Sequence, residues 1–196
     1  MSTMQETELS ALSILPWATM FLNYSDAVVA DIPADDTSLD WRPTDAAGNW
    51  YLSIREQAMH IADERHDLLA SITGTDAKDK LFMKEYGGTG KPWEFKPATR
   101  DEIIASMLAG RAALEDLLSQ PQEKLLETTP ALEAKYKEVV AKLRAEGKEE
   151  EAARREALGP SRLVNNVLFL VAHEQSHRSV LQTMLRQRGH KVTRYA

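Results

Sequence analysis

The chain has 196 residues, no cysteine, 43% hydrophobic residues and a formal net charge of −6 with an isoelectric point near 5.4. That length points to a single domain spanning 1–196, and the composition suffices for a real hydrophobic core. Disulfides, cysteine nucleophiles and cysteine zinc sites are excluded, and an acidic chain without a basic block argues against nucleic acid as a partner.

The first residues, MSTMQETELS, carry no Lys or Arg, so a signal peptide is not expected. The apolar run Val167–Ala172 is far short of the roughly 20 residues that cross a bilayer. A cytoplasmic protein with no membrane partner is the expectation. The first helix is expected over about Ser13–Ala30, with Pro16 in its opening turn, where a missing N–H costs nothing. The segment 31–50, rich in Pro, Asp and Gly, reads as a long connection that Trp41 and Trp50 pin to the body.

Ser53 and Glu56 have capping-box spacing and open a second helix that runs to Thr73, with Gly74 as its stop. Gly87 and Gly88 mark a loop, and GGTGKP lacks the spacing of a phosphate-binding loop. No convincing strand signal is present. Thr99 and Glu102 repeat the capping box and open a third helix that ends near Gln120–Pro121. Residues 121–160 read as a helical insertion. One helix there opens at Pro130 and closes at Gly147, with a stripe of Leu132, Tyr136, Val139, Val140 and Leu143. A second continues to Gly159. The plain reading is a charged, solvated hairpin on the bundle; the sharper one is a lid or a dimer contact. A fourth helix covers about Ser161–Arg188, with Gly189 just past its end.

That last helix contains HEQSH, which matches the H-E-x-x-H pattern of zinc proteases. His173 and His177 are one turn apart and point the same way. Leu163, Asn166, Leu170, Val180, Leu181 and Met184 share that side, so the pair interrupts a core-facing stripe. Such a pair needs either a metal ion or hydrogen-bonding partners. A protease is disfavoured: no Asp or Glu follows His177, and the extended pattern fails at Val180 and Thr183. His190 lies beyond Gly189. Glu174 then reads as incidental, a surface carboxylate or one beside the ligands. A third ligand must come from elsewhere, with His60 and His66 the candidates. They lie about 240° apart round the second helix, so both cannot face one site. His66, on a charged flank, is expected to face solvent. His60 borders the apolar stripe Ile54, Ala58, Ile61, Leu68 and Ile72, and shares its face with Ser53, Glu56, Glu64 and Asp67.

The Trp-Arg-Pro loop at 41–43, the HIADE segment at His60–Glu64 and the ending HEQSHRSVLQTMLRQRG together resemble the DinB/YfiT-like superfamily of bacterial metal-binding helical bundles. The resemblance implies an all-α fold, an up-down-down-up four-helix bundle; the insertion between the third and fourth helices is a departure from the family pattern. It implies a metal held by His60, His173 and His177, and a homodimer. Activities known in the superfamily imply a metal-dependent enzyme, a thiol S-transferase or hydrolase, acting on a small-molecule substrate and in some members with a low-molecular-weight thiol. A non-catalytic metal-binding stress-response protein is the alternative, and a dimeric helical protein with a vestigial site the third reading. Three imidazoles leave an open coordination position and suit Zn, Ni or Fe alike. Glu64, one turn from His60, is the candidate catalytic base or orienter. Asp67 is a weaker one. Arg178 is either an anion contact or, more simply, a surface arginine.

Overall fold

The computed structural model describes residues 3–44, 51–76, 81–84, 94–95 and 97–194. Its long helices are α1 (Thr3–Ala30), α3 (Ile54–Thr73), α4 (Arg100–Leu118), α6 (Pro130–Ala145), α7 (Glu149–Leu158) and α8 (Leu163–Gln187). Two single turns, α2 (Asp36–Leu39) and α5 (Gln122–Leu125), sit in the connections. The fold is helical, as expected. Among the described residues no helix is long and apolar enough to cross a membrane.

The helix starts follow from capping chemistry. Ser53 accepts from the Glu56 amide while the Glu56 carboxylate accepts from the Ser53 amide, and Thr99 and Glu102 repeat the exchange. Each box satisfies two N–H groups that a helix otherwise leaves open. Gly74 ends α3 with a left-handed backbone, φ 73°, which glycine adopts without the penalty of a Cβ.

The bundle is made of α1, α3, α4 and α8. Helix α3 packs on α4 and α8, and α1 closes the ring against both. Two hydrophobic clusters fill it. One joins Val28 and Val29 of α1, Ile54, Ala58 and Ile61 of α3, Ile103 and Met107 of α4, and Leu181 and Met184 of α8. The other joins Leu22 of α1, Leu68 and Ile72 of α3, Leu114 of α4, and Leu163, Val167 and Leu170 of α8. The C-terminal ends of α1 and α8 thus meet the N-terminal ends of α3 and α4, which is compatible with an up-down-down-up order. Each fully buried Leu or Ile contributes about 1.5–3 kcal/mol. Helix α3 is the centre: residues 53–63 are buried all round.

The connection from α1 to α3 is tied down by charge. Arg55 donates to Asp36 and Asp40, both at 2.6 Å, and to the Ala98 carbonyl. Arg42 bonds Glu56 at 3.1 Å and the Tyr51 carbonyl at 3.0 Å. Trp41 packs on the first cluster. Trp50, Gly87 and Gly88 lie outside the described residues.

Three expectations are corrected. Helix α1 begins at Thr3, so Pro16 lies inside it. The preceding residues, rich in Met, Gln, Glu, Leu and Ala, are good helix formers that extend the helix across the proline. Short strands β1 (Phe82–Lys84) and β2 (Glu94–Phe95) pair antiparallel, Phe82 opposite Phe95. Runs of three and two residues are too short to show an alternating pattern. Finally, Val180 is exposed, and the buried face of α8 instead runs through Val167, Val171, Glu174, Arg178 and Leu185.

Segment 121–160 forms α5, α6 and α7. Helices α6 and α7 pair with each other, and α6 leans on α3. Its stripe is only partly used. Leu132 and Val140 are buried, whereas Val139 is exposed.

Candidate metal centre

His60 lies on the buried second turn of α3, and His173 and His177 lie on successive turns of α8. The packing of α3 against α8 brings them together. Ring centroids are 4.3 Å apart for His60 and His177, 4.4 Å for His173 and His177, and 5.1 Å for His60 and His173. One ring nitrogen of each lies within 4.8 Å of the others. Nε2 of His173 and Nε2 of His177 approach to 3.1 Å. His60 is buried and the other two are half-buried.

Burial, then the neighbouring His60 and His173, push the His177 imidazole from 6.5 down to about 3. It is therefore neutral at physiological pH, the form that offers a lone pair to a metal. Three convergent imidazoles fit a divalent cation of the zinc, nickel or iron kind.

The surroundings come from the same helix faces. Glu64 stands between two of the rings, Oε1 at 3.6 Å from His60 Nε2 and Oε2 at 3.4 Å from His173 Nδ1. These separations are close approaches rather than formed hydrogen bonds. Gln57 Nε2 lies 2.5 Å from His177 Nδ1 and donates to the His177 carbonyl at 3.3 Å. Phe169 stacks on His173 with centroids 5.6 Å apart and planes 10° apart. Sequence reasoning missed Gln57 and Phe169. The signal was present in both: Gln57 precedes His60 by three and Phe169 precedes His173 by four, the spacings that share a helix face.

Other expectations fare differently. His66 does not face solvent. It is buried, and its Nε2 lies 3.1 Å from the Ser106 hydroxyl, on the α4 side of α3. Arg65, next to it on that charged flank, is itself buried in ion pairs with Asp26 and Glu174. Asp67 lines a cavity of about 230 Å³ together with Glu64, Lys135 and Phe169.

Glu174 is neither incidental nor on the surface. It is 1% exposed and grips Arg65, which is 0% exposed, through Oε1 at 2.6 Å and Oε2 at 3.1 Å. Arg65 also bonds Asp26 at 2.7 Å and the carbonyls of Met107 and Leu22. One guanidinium thus links all four bundle helices. Burial opposes its charge, and Glu174 and Asp26 outweigh that, so its pKa is raised.

Arg178 is not a surface arginine either. It is 4% exposed, donates to the Phe21 carbonyl at 3.1 Å, and stacks over Tyr24 at 4.4 Å. The polar pair that interrupts the core stripe of α8 is therefore Glu174 and Arg178. The histidines, one position earlier on each turn, sit at the edge of that stripe.

The sequence pattern of the DinB family matches residues 23–195. Neither the curated proteins nor the solved structures contain a match.

Proposed function

The chain belongs to the DinB family, and from that premise we propose that His60, His173 and His177 hold a divalent metal ion in a metal-dependent enzyme, a thiol S-transferase or hydrolase. The observation that carries the reading is the meeting of one buried histidine of α3 with the i, i+4 pair of α8 inside a single 4.8 Å cluster. A merely structural pair would need no third imidazole. Three ligands leave a position for substrate or water. A cation held by the three histidines would supply Lewis-acid activation of a water or a thiol, including a low-molecular-weight thiol.

The chain's own residues divide the remaining work. The three histidines bind through neutral imidazoles. Glu64, close to both His60 and His173, is positioned to accept a proton from the nucleophile and to orient the rings. Phe169 covers one face of His173 and limits water there. Gln57 holds the His177 ring from the far side.

The test is thiol conjugation and ester or amide hydrolysis, assayed on chelator-treated protein before and after adding Zn²⁺, Ni²⁺ or Fe²⁺. Activity restored by one metal and lowered about 10²-fold or more by Glu64→Gln supports the enzyme. Stoichiometric metal with neither activity leaves the non-catalytic metal-binding role.

A further inference from the structure

The insertion builds a second cavity beside the histidines. It has a volume of about 380 Å³ and lies between α6, α7 and the start of α8, lined by Leu132, Lys135, Tyr136, Arg155, Asn166 and Phe169 among others. Among the described residues its lining contains no Asp or Glu, although the chain carries six more acidic than basic residues. Two cations face it. Arg155 has its Nε buried with no hydrogen-bond partner among the described residues. Among the described residues Lys135 reaches only the Ser71 hydroxyl, at 3.4 Å. A buried guanidinium nitrogen left without an acceptor costs free energy, and an anion would supply the missing acceptor. Leu132, Tyr136 and Phe169 add an apolar wall.

The cavity is continuous in its lining with the metal centre. Lys135, Asn166 and Phe169 also line the smaller cavity that contains Glu64, and Phe169 stacks on His173. Phe169, though 65% exposed, therefore stands between the two compartments.

We propose that this cavity is the docking site for the anionic tail of the substrate: a carboxylate or phosphate on a small, partly apolar molecule, held by Arg155 and Lys135 while its reacting end lies at the histidines. The inference rests on the metal-centre reading for what happens at that reacting end. The anion site itself stands on the cavity and its charges. Segment 121–160 is then part of the substrate site rather than a solvated ornament on the bundle.

The experiment uses the full chain, zinc-loaded and metal-free, titrated calorimetrically with phenyl phosphate, 3-phenylpropanoate and neutral 3-phenylpropanol. The expected result is that one or both anions bind at least tenfold more tightly than the alcohol, with the two arms telling phosphate from carboxylate. Arg155→Gln and Lys135→Gln should each weaken the anion about tenfold while leaving helicity and metal content unchanged. In cobalt-loaded protein the bound probe's protons should relax faster than in zinc-loaded protein. Anions that bind no better than the alcohol, or an affinity unmoved in both variants, overturn the anion site. Equal relaxation in the two metal forms overturns its link to the centre. Anion binding intact in a protein that takes up no metal overturns the metal-centre reading instead.

Discussion

Single side chains at this site do two separable jobs. His60, His173 and His177 form the cluster, while Glu174, the acid between the two α8 histidines, belongs to the core through Arg65. Replacing Glu174 by Ala leaves Arg65 buried with Asp26 as its one remaining carboxylate among the described residues, which should cost about 3–5 kcal/mol. Denaturant unfolding checks this. The variant, where it folds, should still bind stoichiometric metal, since Glu174 is not a ligand. The pH behaviour follows from His177. Its folded pKa, about 3, lies below its unfolded value near 6.5, so the unfolded chain takes up the proton first. Its contribution to the stability of metal-free protein is full above pH 6.5 and falls as the pH drops from 6.5 toward 3. A melting series of chelator-treated protein across that range should show the loss. The histidine pair was legible from spacing alone, because i and i+4 share a face whatever the fold. The burial of Glu174, Arg178 and His66 was not. Each looks like a surface residue until a partner on another helix is known, and Arg65, Ser106 and the Phe21 carbonyl are 109, 40 and 157 positions away.

Both ends of α3 and the start of α4 were read correctly because their causes are local. The two capping boxes and Gly74 need only neighbours within four residues. Helix packing has non-local causes, and Gly110 of α4 shows one of them. A Cβ built there would lie 2.9 Å from the Arg65 Cβ, too close for either backbone-anchored atom to avoid. Gly110 is what lets α4 approach α3 at the level of the buried guanidinium. Alanine would gain about 1 kcal/mol of helix propensity in isolation. The clash should outweigh that gain, so Gly110→Ala is expected to lower the melting temperature, whereas a surface Gly→Ala would raise it. Differential scanning calorimetry decides the sign. The extension of α1 through Pro16 shows the reverse limit: a strong local breaker was overridden by the helix-forming residues before it.

At the scale of the whole molecule, the all-helical class and the three-histidine cluster were visible in the sequence, the latter through the family resemblance that singled out His60. The insertion was visible as a segment but not as a wall of a cavity, since nothing in residues 121–160 names α3 and α8 as its neighbours. Assembly is a further prediction. Trp17 and Met20, three apart on α1, are 38% and 39% exposed, large apolar groups on a bundle helix. A homodimer covering that face should sediment at about twice 22.0 kDa, and Trp17→Glu should return it to the monomer mass.

The central claim is that α3 and α8 together make one three-histidine metal centre, and metal content tests it most directly. Protein purified without chelator should carry close to one divalent ion per chain. His60→Ala should lose it, and His66→Ala, altered on the α4 side of the same helix, should keep it. Metal retained unchanged in His60→Ala would contradict the account.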